Sequence, residues 1–168
     1  GGTASDNLAI RGLHSVRLTV ERPERTLELM RALLGFDVLA EESGRLRVGV
    51  GDGAPGRLID IEYGSNAPSA LNGVGTVHHV AMAIGSAEEQ LALREELVRR
   101  GVKVTPVLDR QYFRSIYFRE PSGVLFEVAT MQPGFLVDED LDTLGRALKL
   151  PPWEEEFRDE IERELLGL

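Results

Sequence analysis

The segment VLDRQYFRSIYFREPSGVLFEVAT at residues 107–130 and the segment TVHHVAMAI at 76–84 decide the fold of this chain. Both alternate polar and apolar residues, as strands with one face against a core do. A Pro-Ser-Gly turn at 121–123 separates the last two strand candidates. Each segment also carries an ionisable residue where such a strand is otherwise apolar, namely His79 and Glu127.

The same order of elements occurs twice along the chain, at a spacing of about 65 residues. Residues 16–20 align with residues 80–84, and a helical pattern follows each of these strands. The two helical patterns end at Gly35 and Gly101, and three short strand candidates follow each. This repetition predicts two copies of a βαβββ unit, and a chance alternation of strands and helices is the alternative.

We therefore predict an α+β fold in which two βαβββ units form a cupped mixed β-sheet. The units span residues 10–64 and 75–132, with a linker rich in turn residues between Gly64 and Gly75. Residues 1–9 are expected to be disordered or left over from cloning, and the fold prediction excludes them.

Beyond the domain at 10–132, the sequence predicts a helical C-terminal tail over residues 133–168. The segment 138–150 predicts a short helix that Asp138 would cap, and a second helix would begin at the paired prolines 151–152. The second helix carries an apolar stripe at four-residue spacing, formed by Trp153, Phe157, Ile161 and Leu165. Such a stripe would dock on the domain or on a partner subunit.

Composition narrows the classes of protein to which the chain can belong. Its 168 residues, 42% hydrophobic and 28% charged, suit one globular domain. A net charge of −9 without a Lys/Arg run argues against a nucleic-acid partner. No apolar run approaches the roughly 20 residues of a membrane helix. The absence of cysteine excludes disulfides and thiolate metal sites, and without a secretory signal the sequence predicts a cytoplasmic protein.

His79 and Glu127 are the predicted metal ligands. An imidazole and a carboxylate on neighbouring strands supply two of the three ligands that hold non-heme Fe(II), and they also suit Mn(II) or another divalent metal. A carboxylate buried in an apolar strand is costly without a partner, which a metal ion would supply. The alternatives are a core histidine bonded to the backbone and an ion pair between Glu127 and an arginine.

Paired βαβββ units with a His in a first strand and a Glu in the last strand resemble the vicinal oxygen chelate superfamily. That superfamily includes glyoxalase I, bleomycin- and fosfomycin-resistance proteins, an epimerase and extradiol dioxygenases. The segments VHHVA, DRQYFRSIYFREPSGVLFEVAT, PGF and LKLPPWEE resemble more narrowly the C-terminal half of hydroquinone-type ring-cleaving dioxygenases. The resemblance implies an enzyme that cleaves a small hydroquinone- or catechol-like aromatic ring with O2, at Fe(II) or Mn(II).

By this resemblance His79 and Glu127 are metal ligands, and three other residues belong to the substrate pocket with catalytic roles: His78, Arg110 and Tyr117. Other interpretations stay open for these three. Adjacent strand residues point to opposite faces, so His78 could serve packing alone. Tyr117 could be an ordinary core aromatic residue, and Arg110 a member of a surface ion pair.

The third metal ligand is the point at which the chain departs from the family pattern. The dioxygenases have four units, and their first ligand His comes from a first unit that has no counterpart here. Ser15 stands where a ligand His would be, and His14 aligns with His78. The third ligand could come from Asp60, with Glu62 as a further carboxylate, or from a homodimer or a second half-protein, or the site could be incomplete.

Two other functions remain alternatives. A glyoxalase- or epimerase-like proton transfer would need further ligands within the chain, so that Asp60 or Glu62 would be essential for metal binding. A non-catalytic small-molecule-binding module of the resistance type would have an apolar cleft and no metal. Its ligand affinity would be unchanged by His79→Ala.

Overall fold

The computed structural model describes residue 10, residues 12–64 and residues 73–165. The predictions for residues 1–9 and for most of the linker, residues 65–72, therefore lie outside the described residues, as does the end of the predicted tail. Within the described part of the chain, no helix is both long and apolar enough to cross a membrane.

Two successive units contain the same elements in the same order. The first unit comprises β1 (Ser15–Val20), α1 (Pro23–Leu34), β2 (Phe36–Glu42), β3 (Arg45–Val50) and β4 (Leu58–Tyr63). The second comprises β5 (Val80–Ile84), α2 (Ala87–Arg99), β6 (Leu108–Asp109), β7 (Arg114–Arg119) and β8 (Leu125–Thr130). The predicted βαβββ duplication is therefore confirmed.

Each unit forms its own four-stranded mixed sheet, in the order β1-β4-β3-β2 for the first and β5-β8-β7-β6 for the second. The first strand of each unit pairs in parallel with its last strand, and the other pairings are antiparallel. The two sheets are open and do not close into a barrel. This arrangement is the glyoxalase-like fold that the sequence predicts.

The helix boundaries follow from local sequence signals. α1 begins at Pro23, whose missing N–H is harmless in a first turn, and ends before Gly35, which has a φ of 70°. At the start of α2, the Ser86 side chain accepts a hydrogen bond from the Glu89 backbone N–H at 3.1 Å. Gly101, with a φ of 76°, follows the end of α2. The predicted helix ends are thus confirmed.

One apolar core joins the two units. Its fully buried members come from both helices and both sheets and include Met30, Ile61, Leu97, Ile116 and Phe126. A polar contact adds to this packing, because the Thr26 hydroxyl on α1 donates to Glu120 Oε2 at 2.5 Å. The Val124 N–H donates to the other oxygen of Glu120 at 2.9 Å, so this buried carboxylate is satisfied where it links the first helix to the β7–β8 turn.

The strand predicted from KVTPVLD at 103–109 is shorter than expected. Only Leu108–Asp109 form β6, and an isolated bridge joins Val104 to Phe118. Pro106 lies between these two pairings and has no N–H to donate to the ladder.

The tail differs from the prediction in its first part. Residues 138–150 contain a 3₁₀ turn at Leu141–Thr143 and no α-helix, and Gly145 has a left-handed φ of 74°. Asp138 does not cap a helix, because its carboxylate accepts hydrogen bonds from the turn after β6. The prediction of a capped helix here was wrong.

The second tail helix begins later than predicted. A 3₁₀ turn at Glu155–Phe157 comes first, and α3 spans Arg158–Leu165. Bonds from Glu154 N to Pro151 O and from Phe157 N to Glu154 O tighten the start of this segment into i→i+3 geometry. Trp153 is 50% exposed and Phe157 is 47% exposed, so the described residues leave much of the predicted apolar stripe uncovered.

Candidate metal and substrate site

The strand register of the second sheet places three predicted site residues on one face. Glu127 on β8 lies directly opposite Ala81 on β5 and Tyr117 on β7. His79 lies just before β5, and its ring reaches the same face, where it contacts Glu127. The face of this sheet therefore brings an imidazole, a carboxylate and a phenol together.

The three side chains are in direct contact. His79 Nε2 lies 2.7 Å from Glu127 Oε2, and the Tyr117 hydroxyl donates to Glu127 Oε1 at 2.7 Å. Glu127 is only 3% exposed, so its carboxylate has left water almost completely. Both of its oxygens have found partners, as a buried carboxylate requires.

His78 also joins this group. β5 begins at Val80, so His78 and His79 lie just before the strand, where strict alternation of side chains does not hold. Their Nδ1 atoms are 2.7 Å apart, and their ring centroids are 5.0 Å apart in an edge-on arrangement. The expectation from alternation, that the two rings would face apart, does not apply at this position.

Arg110 completes the set from the turn that follows β6. Its guanidinium carbon lies 5.5 Å from the centroid of the Tyr117 ring, a distance typical of a cation–π contact. The structure thus brings together five residues that the sequence singles out, which we call the His79 cluster: His78, His79, Arg110, Tyr117 and Glu127.

Asp60 and Glu62 lie on β4 of the first unit and have arginine partners. Arg47 donates to the two oxygens of Asp60 at 2.7 Å and 3.0 Å, and the Ser15 hydroxyl donates to Asp60 at 3.4 Å. Arg45 lies 3.2 Å from Glu62. Because Asp60 has the same register position in its unit as Glu127, the first unit neutralises the equivalent carboxylate with a guanidinium.

We expect the Asp60→Asn substitution to lower the free energy of unfolding by about 1 kcal/mol at neutral pH. The hydrogen bond from Arg47 is the main cause that lowers the pKa of the Asp60 carboxyl below its ordinary value of 3.8. A lowered folded-state pKa stabilises the protein above the unfolded pKa, and this contribution is lost as pH falls through the folded value.

Urea unfolding of the wild type and of Asp60→Asn at several pH values measures this difference. The difference in unfolding free energy between the two proteins should be constant between about pH 5 and 7 and shrink below about pH 4. A difference that grows on acidification would contradict the assignment of the stabilising charge to Asp60.

The donors of the His79 cluster fit a divalent metal ion. His79 Nε2, just before β5, and Glu127 Oε2, on β8, lie 2.7 Å apart, and both are donor atoms that Fe(II) and Mn(II) accept. Although His78 adjoins His79, no group of three or more His, Cys, Asp or Glu among the described residues is arranged to hold a metal ion. His79 and Glu127 are therefore the two cluster residues whose donor atoms could hold such an ion.

Cavities among the described residues lie away from the His79 cluster, and two of them involve the strands of the two units. An apolar cavity of about 380 Å³ lies between the first strands of the two units, with Val16, Leu34, Val80, Met82 and Val128 among its lining residues. A second cavity of about 220 Å³ lies beside Asp60 in the first unit. None of the five cluster residues lines either of these two cavities, so neither cavity is part of the His79 cluster.

Sequence reasoning missed three residues next to the cluster, because their partners lie far apart in the chain. Gln111 and Tyr112 follow Arg110, and both donate to the same oxygen of Asp138 at 2.9 Å. The DRQYF segment was a visible signal for this turn. No spacing rule, however, predicts from the sequence that this segment contacts an aspartate in the tail.

Comparison with known proteins identifies a family and individual relatives that match most of this chain. The sequence model of the Glyoxalase/Bleomycin resistance protein/Dioxygenase superfamily matches residues 12–128. MhqA of Bacillus subtilis (strain 168), described as a candidate ring-cleaving dioxygenase, is 37% identical over 95% of this chain and 52% of its own length. The chlorohydroquinone/hydroquinone 1,2-dioxygenase of Sphingobium indicum is 33% identical over 93% of this chain and 49% of its own length.

A solved structure agrees with these matches. The crystal structure of a candidate dioxygenase from Bacillus subtilis superposes with a TM-score of 0.87 at 36% identity, over 96% of this chain and 52% of that chain. The present chain thus spans about half the length of the curated relatives that it matches. With the family model covering most of the chain and the fold in agreement, the chain belongs to the vicinal oxygen chelate family of glyoxalases, bleomycin-resistance proteins and dioxygenases.

Proposed function

We propose that this chain is the metal-binding half of a ring-cleaving dioxygenase that acts on hydroquinone- or catechol-like phenols, with O2 as co-substrate. The observation that carries the proposal is the contact of His79 with a buried Glu127 whose other oxygen is held by Tyr117. The relatives, a candidate ring-cleaving dioxygenase and a chlorohydroquinone/hydroquinone 1,2-dioxygenase, support the reaction class.

His79 Nε2 and Glu127 Oε2 would hold the metal ion, with Fe(II) or Mn(II) as the proposed occupant. Such an ion, when bound, can gather the oxygens of a phenolic substrate and leave a coordination position for O2. Neutral imidazole and carboxylate ligands suit these two metals better than they suit soft ions.

The other cluster residues would bind and orient the substrate. Tyr117 fixes one carboxylate oxygen of Glu127, and so holds the other oxygen towards His79. Arg110, packed over the Tyr117 ring, offers a planar set of donors to an anionic phenolate oxygen. His78 contacts His79 through its Nδ1 atom, and we propose that it exchanges a proton with the substrate hydroxyl group.

We propose that the third protein ligand comes from outside the described residues, either from a second copy of this chain in a homodimer or from a second half-protein. Two observations support this. The described residues contain no group of three or more His, Cys, Asp or Glu that could hold a metal ion, and the chain spans about half the length of its curated relatives.

The glyoxalase- or epimerase-like alternative gains no support from the geometry. It requires Asp60 or Glu62 as ligands, and each of these carboxylates is paired with an arginine of the neighbouring strand. The family match alone keeps this reaction class as a second candidate.

Anaerobic loading with Fe(II) or Mn(II), followed by elemental analysis and measurement of oxygen uptake on hydroquinones, tests the proposed function. We expect about one metal ion per site and oxygen consumption that depends on the phenol, measured on the protein expressed from its full coding sequence. Protein that retains no metal and consumes no oxygen with any hydroquinone or catechol would refute the proposal.

A further inference from the structure

The turn that carries Arg110 has an unusual backbone. Gln111 has a φ of 63°, and within the described ranges it is the one non-glycine residue with a positive φ. Such a conformation is unfavourable for a residue with a side chain, so surrounding contacts must hold it. Because Gln111 directly follows Arg110, the contacts that hold Gln111 also affect the position of Arg110 in the His79 cluster.

Three short hydrogen bonds close the turn itself. The Gln111 N–H donates to the Asp109 carboxylate at 2.8 Å, and the Tyr112 N–H donates to the Arg110 carbonyl at 2.7 Å. The Arg110 N–H donates to the Phe113 carbonyl at 2.9 Å. These bonds fix the direction in which the Arg110 side chain leaves the backbone, towards the Tyr117 ring.

The tail holds this turn from outside. Asp138 Oδ2 accepts hydrogen bonds from Gln111 Nε2 and from the Tyr112 hydroxyl, each at 2.9 Å. The Gly134 N–H donates to the Tyr112 carbonyl at 2.8 Å, and the Phe135 ring lies 5.0 Å from the Tyr112 ring. Burial, together with the neighbouring Asp138, raises the pKa of Tyr112, which keeps its hydroxyl protonated as a donor.

We propose that Asp138 is a positioning residue that sets the Arg110 guanidinium over Tyr117 for recognition of a phenolate oxygen, by clamping the left-handed Gln111 and its neighbour Tyr112. The inference rests on the proposed function and explains how the Arg110 guanidinium is held in that site. Without the clamp, Gln111 has less reason to stay in its costly conformation, and the direction of Arg110 is no longer fixed.

A double-mutant cycle on the protein expressed from its full coding sequence tests the inference. In the Fe(II)-loaded protein, Asp138→Ala should raise the KM for hydroquinone by about tenfold, with kcat and metal content changed by less than about twofold. If Asp138 acts through Arg110, the same substitution in an Arg110→Ala background should change KM by less than about twofold.

Conservative and matched variants separate positioning from a general structural role. Asp138→Asn keeps an acceptor oxygen for both donors, so its KM should stay within about threefold of the wild type. Tyr112→Phe removes one of the two donors and should give an intermediate KM, which tests the clamp even if Asp138→Ala fails to fold. Asp142→Ala removes an exposed aspartate of the tail and should leave KM unchanged.

Hydrogen exchange reads the clamp independently of the reaction. The Tyr112 and Gly134 amides should exchange at least about tenfold faster in Asp138→Ala, and not in Asp138→Asn or Asp142→Ala. Unchanged exchange, or KM effects of Asp138→Ala and Arg110→Ala that multiply in the double variant, would overturn the inference. Wild-type protein that opens no ring would instead refute the proposed function, so the two failures are distinguishable.

Discussion

Replacing Glu127 with glutamine is expected to weaken Fe(II) or Mn(II) binding by a factor on the order of 100 or more and to abolish ring cleavage. The substitution keeps the side-chain volume and leaves an amide oxygen that can accept from Tyr117. It removes the negative charge that lies 2.7 Å from His79 Nε2. Titration calorimetry under anaerobic conditions gives the metal affinity, and oxygen uptake with hydroquinone gives the activity.

The first unit supplies a matched control for this experiment. Asp60 lies opposite Arg17 as Glu127 lies opposite Ala81, so Asp60→Asn makes the equivalent change in the other sheet. Because Arg47 already neutralises Asp60, its substitution should leave the metal affinity within about twofold of the wild type. If Asp60→Asn weakens metal binding as much as Glu127→Gln, then Asp60 is a ligand and the glyoxalase- or epimerase-like alternative is favoured.

The geometry of the site was predictable from the sequence wherever side-chain alternation fixes it. The two-residue period of a strand predicts which face of its strand each of Glu127 and Tyr117 occupies. The register of β7 and β8 then places the two residues opposite each other. His79 reaches the same face although it lies just before β5 and not within it. Local glycine and capping signals were likewise sufficient for the ends of α1 and α2.

The remaining features depend on contacts between distant segments, which a single sequence does not reveal. The side chain of Asp138 could cap a helix or bind Gln111 and Tyr112, and only tertiary packing selects the second option. His78 reaches His79 because β5 starts at Val80, after both residues, so the alternation of a strand does not apply to them. The arginines beside Asp60 were visible in the sequence, but their pairing with it depends on the order of strands in the sheet.

Replacing Tyr117 with phenylalanine is expected to weaken metal binding by about 10- to 100-fold, the usual cost of losing the partner that orients a ligand. The hydroxyl donates to Glu127 Oε1 at 2.7 Å, and Glu127 is almost completely buried. Without this donor, one oxygen of a buried carboxylate loses its hydrogen bond, and the side chain is no longer held towards His79. Circular dichroism should show an unchanged fold, since the ring itself is retained.

Tyr63→Phe is the matched control, because Tyr63 ends β4 of the first unit and is partly buried on the same core. The Tyr63→Phe substitution also removes one hydroxyl group, and it should leave the metal affinity within about twofold of the wild type. Calorimetric titration of both variants with Mn(II), which avoids oxidation during the measurement, gives the comparison directly. Equal affinities in Tyr117→Phe and in the wild type would mean that the hydrogen bond to Glu127 does not orient the carboxylate for a metal ion, and that the contact is a packing feature of the sheet.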